Sequence, residues 1–163
     1  MSIRIATTLA LVALLTSCSA ATSRNAAAND DLAADEAALR PMLAELLAAA
    51  NAHDTDRHLA LYLQSPELVF VVNDEPIRGI DSLRVRQRQW WQDGKSDVVY
   101  EIVGAPAYRS PAPGVVIQTY FLKAVRSVAG TPPRTSSFGI TAVWQHRPEG
   151  WRIIYAHEAV VTR

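Results

Sequence analysis

The two residues best equipped to move a proton are neighbours near the carboxy terminus, His157 and Glu158. An imidazole titrates near neutrality, and a carboxyl is brought there when burial strips its water. On a strand the two point to opposite faces, so only one of them can look into a given cavity. Each has a plain structural alternative: a histidine holding a backbone carbonyl, and a glutamate paired with Arg152. Tyr62, Phe70, Trp90, Tyr100, Tyr120, Trp144 and Tyr155 are the second set. If they converge, they form an apolar pocket with hydroxyl tips, suited to a small hydrophobic ligand. If they do not, they are filled core. A tyrosine in such a pocket polarises a carbonyl while His157 or Glu158 acts as base.

Two further clusters carry weaker signals. The run His53-Asp54-Thr55-Asp56-Arg57-His58 holds two imidazoles and two carboxylates. Helical metal ligands are usually three or four residues apart, which His53 and His58 are not, so no metal is expected. Asp54 and Asp56 fit better as helix-start acids. Arg78, Arg84, Arg86 and Arg88 surround one segment, with Arg84 and Arg88 on a shared helical face. They would meet an anionic ligand or lipid headgroups, or form a solvated face with acidic partners. No Gly-x-Ser-x-Gly and no glycine-rich phosphate loop occurs, so no cofactor is expected.

Charge narrows the partners. The 163 residues carry 16 Lys+Arg against 16 Asp+Glu, which argues against nucleic acid, whose backbone selects a basic excess. A hydrophobic share of 49% argues against a disordered chain. One cysteine excludes an internal disulfide. That cysteine follows an apolar run from Ile5 to Leu15, itself preceded by Arg4. This is the order of a secretory signal. Leu15-Thr16-Ser17-Cys18 resembles the bacterial lipobox, which implies a signal peptide over 1–17 and lipidation at Cys18. Residues 18–29, small and polar, read as the lipidated cysteine and a flexible tether. The implied location is the cell envelope, anchored by lipid. In a cell with two membranes it is the outer one, facing the periplasm.

The domain that must position the chemistry spans 30–163. Leu32, Leu39, Leu43, Leu46 and Leu47 give one apolar face to a helix over roughly 30–51, with Pro41 expected to kink it. A second helix starts at Asp54 or Thr55, and Ser65-Pro66 stops it. Glu67–Asn73 reads as a strand and Ile77-Arg78 as a short return. Gly79-Ile80-Asp81 opens a third helix, capped by Asp81 and ended by Gly94. Four long β runs follow, over Asp97–Tyr108, Val115–Val128, Arg134–Arg147 and Trp151–Val161. Short connections make them antiparallel hairpins. The fold class is α+β: a curved antiparallel sheet wrapped around amino-terminal helices. Apolar residues occur at both parities of the last strand, Ile153 and Tyr155 against Ile154 and Val160. Two apolar sheet faces point to a homodimer through the outer one.

Three stretches carry a family resemblance over about 30–161. They are Asn51-Ala52-His53-Asp54 into Leu61-Tyr62, Arg78-Gly79-Ile80-Asp81, and Thr141-Ala142-Val143-Trp144 followed by Gly150-Trp151 through His157. Together they resemble the nuclear-transport-factor-2-like superfamily, in particular its SnoaL-like lineage. Pro133-Arg134-Thr135-Ser136 is also similar to the association domain of calcium/calmodulin-dependent kinases, a member of the same fold. Ala159 stands where a serine is frequent, and Ala142 and Glu158 stand where that association domain has pocket arginines. The resemblance implies a cone with a cavity between curled sheet and helices, often within a dimer. The expected function is binding a small hydrophobic ligand or a partner protein there. The alternative is a cofactor-free isomerase, dehydratase or cyclase.

Overall fold

The computed structural model describes residues 13–127 and 130–161, with side chains from residue 31 onward. Helix α1, Ala13–Asn51, presents Leu39, Leu43, Leu46 and Ala49 to the core at 3–4 spacing. It continues through Pro41 as one helix, and Pro41 lies on the exposed side. The backbone of 18–29 belongs to the same helix, where composition pointed to a flexible tether. Its alanines are the best helix formers, so they extend a helix that is already nucleated. Residues 1–12 of the proposed signal segment lie outside the described residues, and Cys18 is described in its backbone only. Among the described residues no helix is long and apolar enough to cross a membrane.

Helix α2, Thr55–Leu59, is capped by Asp54, whose carboxylate accepts from the Arg57 amide at 3.0 Å. Strands β1, Val69–Val72, and β2, Glu75–Arg78, form a hairpin. Gly79 then turns into α3, Ile80–Trp90, at a φ of +81° and with Pro66 backbone 3.3 Å from where a Cβ would sit. Only glycine satisfies both demands. Asp81 therefore lies inside the first turn, not at the cap expected for it. A short 3-10 turn, Gln92–Gly94, leads to β3, Val98–Ala112, β4, Val115–Arg126, β5, Arg134–Arg147, and β6, Gly150–Val160.

The six strands form one curved sheet in the order β2-β1-β6-β5-β4-β3. The pairs β3–β4, β4–β5 and β5–β6 are antiparallel, as short connections require. One pair departs from an all-antiparallel sheet: β1 runs parallel to β6, so the sheet is mixed. That pairing is reached through four intervening strands and could not be seen in local connections. The loop after α2 is tied to β6 as well, with Leu63 donating to the Ile153 carbonyl at 2.9 Å.

Two irregularities shape the concave face. Between Val103 and Ala107 the β3–β4 register slips around Gly104, which holds a φ of +76°. Such bulges increase local twist and bend the sheet. In β6, Trp144 pairs with Ile153 but Val143 pairs with Tyr155, so Ile154 is an inserted residue. Parity therefore changes at Ile154. Ile153 faces the core before it, and Ala156 and Glu158 face inward after it, while Tyr155 and His157 face outward. The apolar residues at both parities thus partly reflect this bulge and not two continuous apolar faces.

A cavity between the sheet and the helices

The narrow end of the cone is filled. Trp144, Val116, Ile153 and Leu39 are essentially without exposure there. Gln118 is equally buried, and both ends of its amide are engaged. It accepts from Trp144 Nε1 at 2.9 Å and donates to the Tyr108 hydroxyl at 3.1 Å. Trp144 therefore belongs to the core, correcting its assignment to the pocket. Tyr155 also lies away from the pocket, on the outer face opposite Val69 and Val143, because the Ile154 bulge turned it out.

The wide end encloses a cavity of about 460 Å³. Tyr62, Phe70, Trp90, Tyr100 and Tyr120 all line it. They come from the α2–β1 segment, β1, α3, β3 and β4, so their convergence is a product of the tertiary fold. Tyr62 packs on Phe70 and Phe70 on Trp90, each with centroids 6.2 Å apart. Leu122, Phe138 and Val160 add an apolar belt.

Glu158 projects into this cavity, and His157 does not. The carboxyl of Glu158 has no hydrogen bond or ion pair among the described residues. Burial pushes its pKa up to about 7. The expected partner, Arg152, instead donates to the Trp151 carbonyl at 2.7 Å. His157 takes the structural role considered for it, its Nε2 meeting the Asn73 carbonyl oxygen at 2.9 Å. Outward orientation and that bond remove it from the cavity chemistry.

Three phenols feel the charge of Glu158. Burial first, then Tyr120 and Glu158, raise Tyr62 well above its ordinary value. Burial, then Glu158 and Tyr108, raise Tyr120. Burial also raises Tyr100, whose hydroxyl accepts from Trp91 Nε1 at 3.1 Å. The Tyr62 and Tyr120 hydroxyls make no hydrogen bond to another described residue. All three therefore stay protonated donors near neutral pH.

His58 was discounted with the metal reading, yet it lines the cavity. Burial pushes its pKa down to about 4, so the imidazole is neutral, and its Nδ1 is buried without a partner among the described residues. His53 instead holds the Val98 carbonyl at 2.9 Å. Both rings meet Trp91 edge-on, His53 at 5.8 Å and His58 at 5.1 Å. Among the described residues no cluster of three potential ligands exists.

Three of the four arginines around α3 find acids. Arg84 and Arg88 both pair with Asp56, and Arg86 pairs with Glu75. They form a solvated face and do not reach the cavity. The basic residues that do reach it are Arg126 and Arg134, which sequence reasoning did not single out. A signal for one of them existed: Leu122, Ala124 and Arg126 follow Tyr120 at the period of two that places them on its face.

No known family profile matches the chain, and no curated protein matches it in sequence. Solved structures do match in shape. An uncharacterised protein with a cystatin-like fold from Caulobacter vibrioides aligns at TM-score 0.65 and 19% identity, covering 78% of this chain and 89% of its own. A nuclear-transport-factor-2-like superfamily protein from Salmonella enterica gives 0.61 and 20%, with 74% and 87% covered. A nuclear-transport-factor-2-like protein of unknown function from Pseudomonas putida gives 0.68 at 12%, with 80% and 89% covered. The chain thus has the nuclear-transport-factor-2-like, cystatin-like cone fold. The fold hosts unrelated activities, so function rests on the cavity itself.

Proposed function

We propose that this domain binds a small, largely apolar molecule in its cone, with a polar group of that molecule read by Glu158 and the Tyr62 and Tyr120 hydroxyls. One observation carries the reading: a carboxyl without a partner among the described residues faces a cavity of about 460 Å³ walled by aromatic and aliphatic side chains. Native interiors rarely leave such groups unpaired without a use for them. The size falls within the range of small-molecule pockets. Trp90 and Trp91 line the wall, so intrinsic fluorescence reports occupancy. Titration with dodecanol should shift that emission saturably in the wild type. A Phe138→Trp or Leu122→Trp variant, which fills the belt, should not respond. A wild type without a saturable shift would overturn the reading.

A second reading has its own observation. A carboxyl with a pKa of about 7 is matched to proton abstraction near neutrality, and three phenols stand by to stabilise an oxyanion. Glu158, not His157, is then the base of a cofactor-free isomerase, dehydratase or cyclase. A Glu158→Gln variant that binds ligand but exchanges no ligand α-proton with deuterated water would support it.

The surroundings are part of the proposal. The lipobox-like Leu15–Cys18 stretch supports a lipid tether to the cell envelope, in two-membraned cells the outer membrane. A Cys18→Ser variant found in the soluble fraction would agree, and one that stays membrane-bound would not. Exposed Val99, Val103 and Phe121 on the outer sheet face support a homodimer, which native mass spectrometry of detergent-extracted protein would report along with acylation and any copurified ligand.

A further inference from the structure

The lining of the cavity is ordered along the strands. Successive inward rungs of β4 and β5 read Arg126 with Arg134, Ala124 with Ser136, Leu122 with Phe138, and Tyr120 with Ile140. Glu158 stands beside Ile140 on the last of these. From Arg134 to Ile140 the strand covers about 20 Å at about 3.3 Å per residue. The wall is therefore basic at one end, apolar through the middle, and carboxyl with phenols at the other.

The basic end is unusual in itself. Like charges directly opposite each other on an antiparallel pair repel. Arg126 has partial relief, its Nε lying 3.4 Å from an Asp97 oxygen. That contact uses Nε and leaves both terminal nitrogens for another acceptor. Arg134 is exposed and has no ion pair among the described residues. Two guanidinium groups on one rung, with the Asp97 carboxylate paired to Arg126 alone, leave a site of net positive charge at the cavity wall. Guanidinium is the side chain best shaped to hold a carboxylate through paired hydrogen bonds.

We propose that the ligand is a single-chain amphipathic carboxylate, held head-out: its carboxylate lies between Arg126 and Arg134, its apolar chain runs along Leu122, Phe138 and Val160, and its far end meets Glu158, Tyr62 and Tyr120. This rests on the ligand-binding reading above and adds the head group and the direction. The reverse direction would push a carboxylate against the Glu158 carboxyl in an apolar setting, with no cation there to offset it. A far end carrying a hydroxyl or keto group would gain hydrogen bonds from the phenols.

Dodecanoate and dodecanol differ only in the head group and test this. At about pH 8 and low salt, wild type should bind dodecanoate about tenfold or more tighter than dodecanol, as charge-assisted pairing requires. In an Arg126→Gln/Arg134→Gln variant that preference should collapse, dodecanoate weakening about tenfold or more relative to dodecanol. Arg126→Lys/Arg134→Lys should keep part of it, which separates charge from a folding defect. Equal affinities in wild type, or a preference that survives the double Gln variant, would overturn the carboxylate assignment while leaving the apolar pocket standing. Binding of neither probe would overturn both.

Discussion

Gln118 and Glu158 occupy adjacent rungs of the same concave face, through the pairs Gln118–Ala142 and Ile140–Glu158. The fold treats them in opposite ways. At the narrow end every polar atom of the Gln118 amide that matters to packing is answered, by Trp144 on one side and Tyr108 on the other. One rung further out, Glu158 and the Nδ1 of His58 have no partner among the described residues. The same sheet can therefore satisfy buried polar groups and does so where the cone is closed. The difference teaches that the open end is not merely poorly packed. Its polar groups are held in place by a rigid neighbouring core and directed at a volume a ligand can enter, the arrangement a preorganised site needs.

The comparison is broken most severely at the closed end. Trp144→Ala should remove about 3–5 kcal/mol of unfolding free energy, since a fully buried ring is lost and the Gln118 carbonyl oxygen loses its donor. Urea denaturation measures it. A loss below about 1 kcal/mol would mean that the narrow end is not the rigid support described.

The open end should show itself through pH. Glu158 ordinarily titrates at 4.5 and in the folded chain at about 7. Between those values the folded state keeps a proton that the unfolded state has lost, so this group's stabilisation is complete below 4.5 and is lost as pH rises through 7. Above that point the ionised carboxyl is a standing penalty of up to about 3 kcal/mol. Glu158→Gln should therefore raise stability at about pH 8 by an amount of that order and leave it nearly unchanged near pH 4. Equal effects at both pH values would show that the carboxyl is solvated and the unpaired-group contrast with Gln118 is wrong.

His58 runs the other way. Its pKa falls from 6.5 to about 4, so its contribution is present above 6.5 and is lost as pH falls through 4. The two slopes oppose each other where their windows overlap, and wild type should look flatter than either group alone. His58→Phe keeps a ring beside Trp91 and removes the titration. It should improve stability at about pH 5 relative to about pH 8 by roughly 2 kcal/mol. A thermal melt series across pH, run on both single variants and the double, resolves the two contributions. If His58→Phe leaves the acid limb unchanged, the imidazole is not buried as described.

Much of this contrast was legible in the residues, and the missing parts have identifiable causes. Helix and strand order followed from local period and turn chemistry, because those signals are carried within a few residues. Tyr62, Phe70, Trp90, Tyr100 and Tyr120 were recognisable as wall material because large aromatics on several amphipathic elements must bury somewhere. Trp144 and Tyr155 were misplaced for two separate reasons. Trp144 shares the face of Ile140, but Gln118 and Tyr108 close the cone around it, a contact between strands that no local pattern encodes. Tyr155 fell to the Ile154 insertion, since strict alternation carried along β6 predicts the wrong face on one side of any bulge. The same insertion left open whether His157 or Glu158 looks inward. The parallel β1–β6 pair and the Arg126–Arg134 rung likewise depend on partners distant in sequence.

The smallest expected effect separates the two neighbours that began as rivals. His157 on the outer face holds the Asn73 carbonyl, while the Asn73 side chain accepts from the Val160 amide at 3.0 Å. Together these bonds fasten the β1–β2 turn to the end of β6. His157→Ala should therefore cost about 1 kcal/mol, the ordinary worth of one such bond, and weaken protection of the Asn73 and Val160 amides against hydrogen exchange. Dodecanol affinity should stay within about twofold of wild type, because the imidazole faces away from the cavity. A large loss of affinity at unchanged stability would put His157 on the inner face. Glu158 would then have to point outward, and the Ile154 bulge would not have the effect on parity assigned to it.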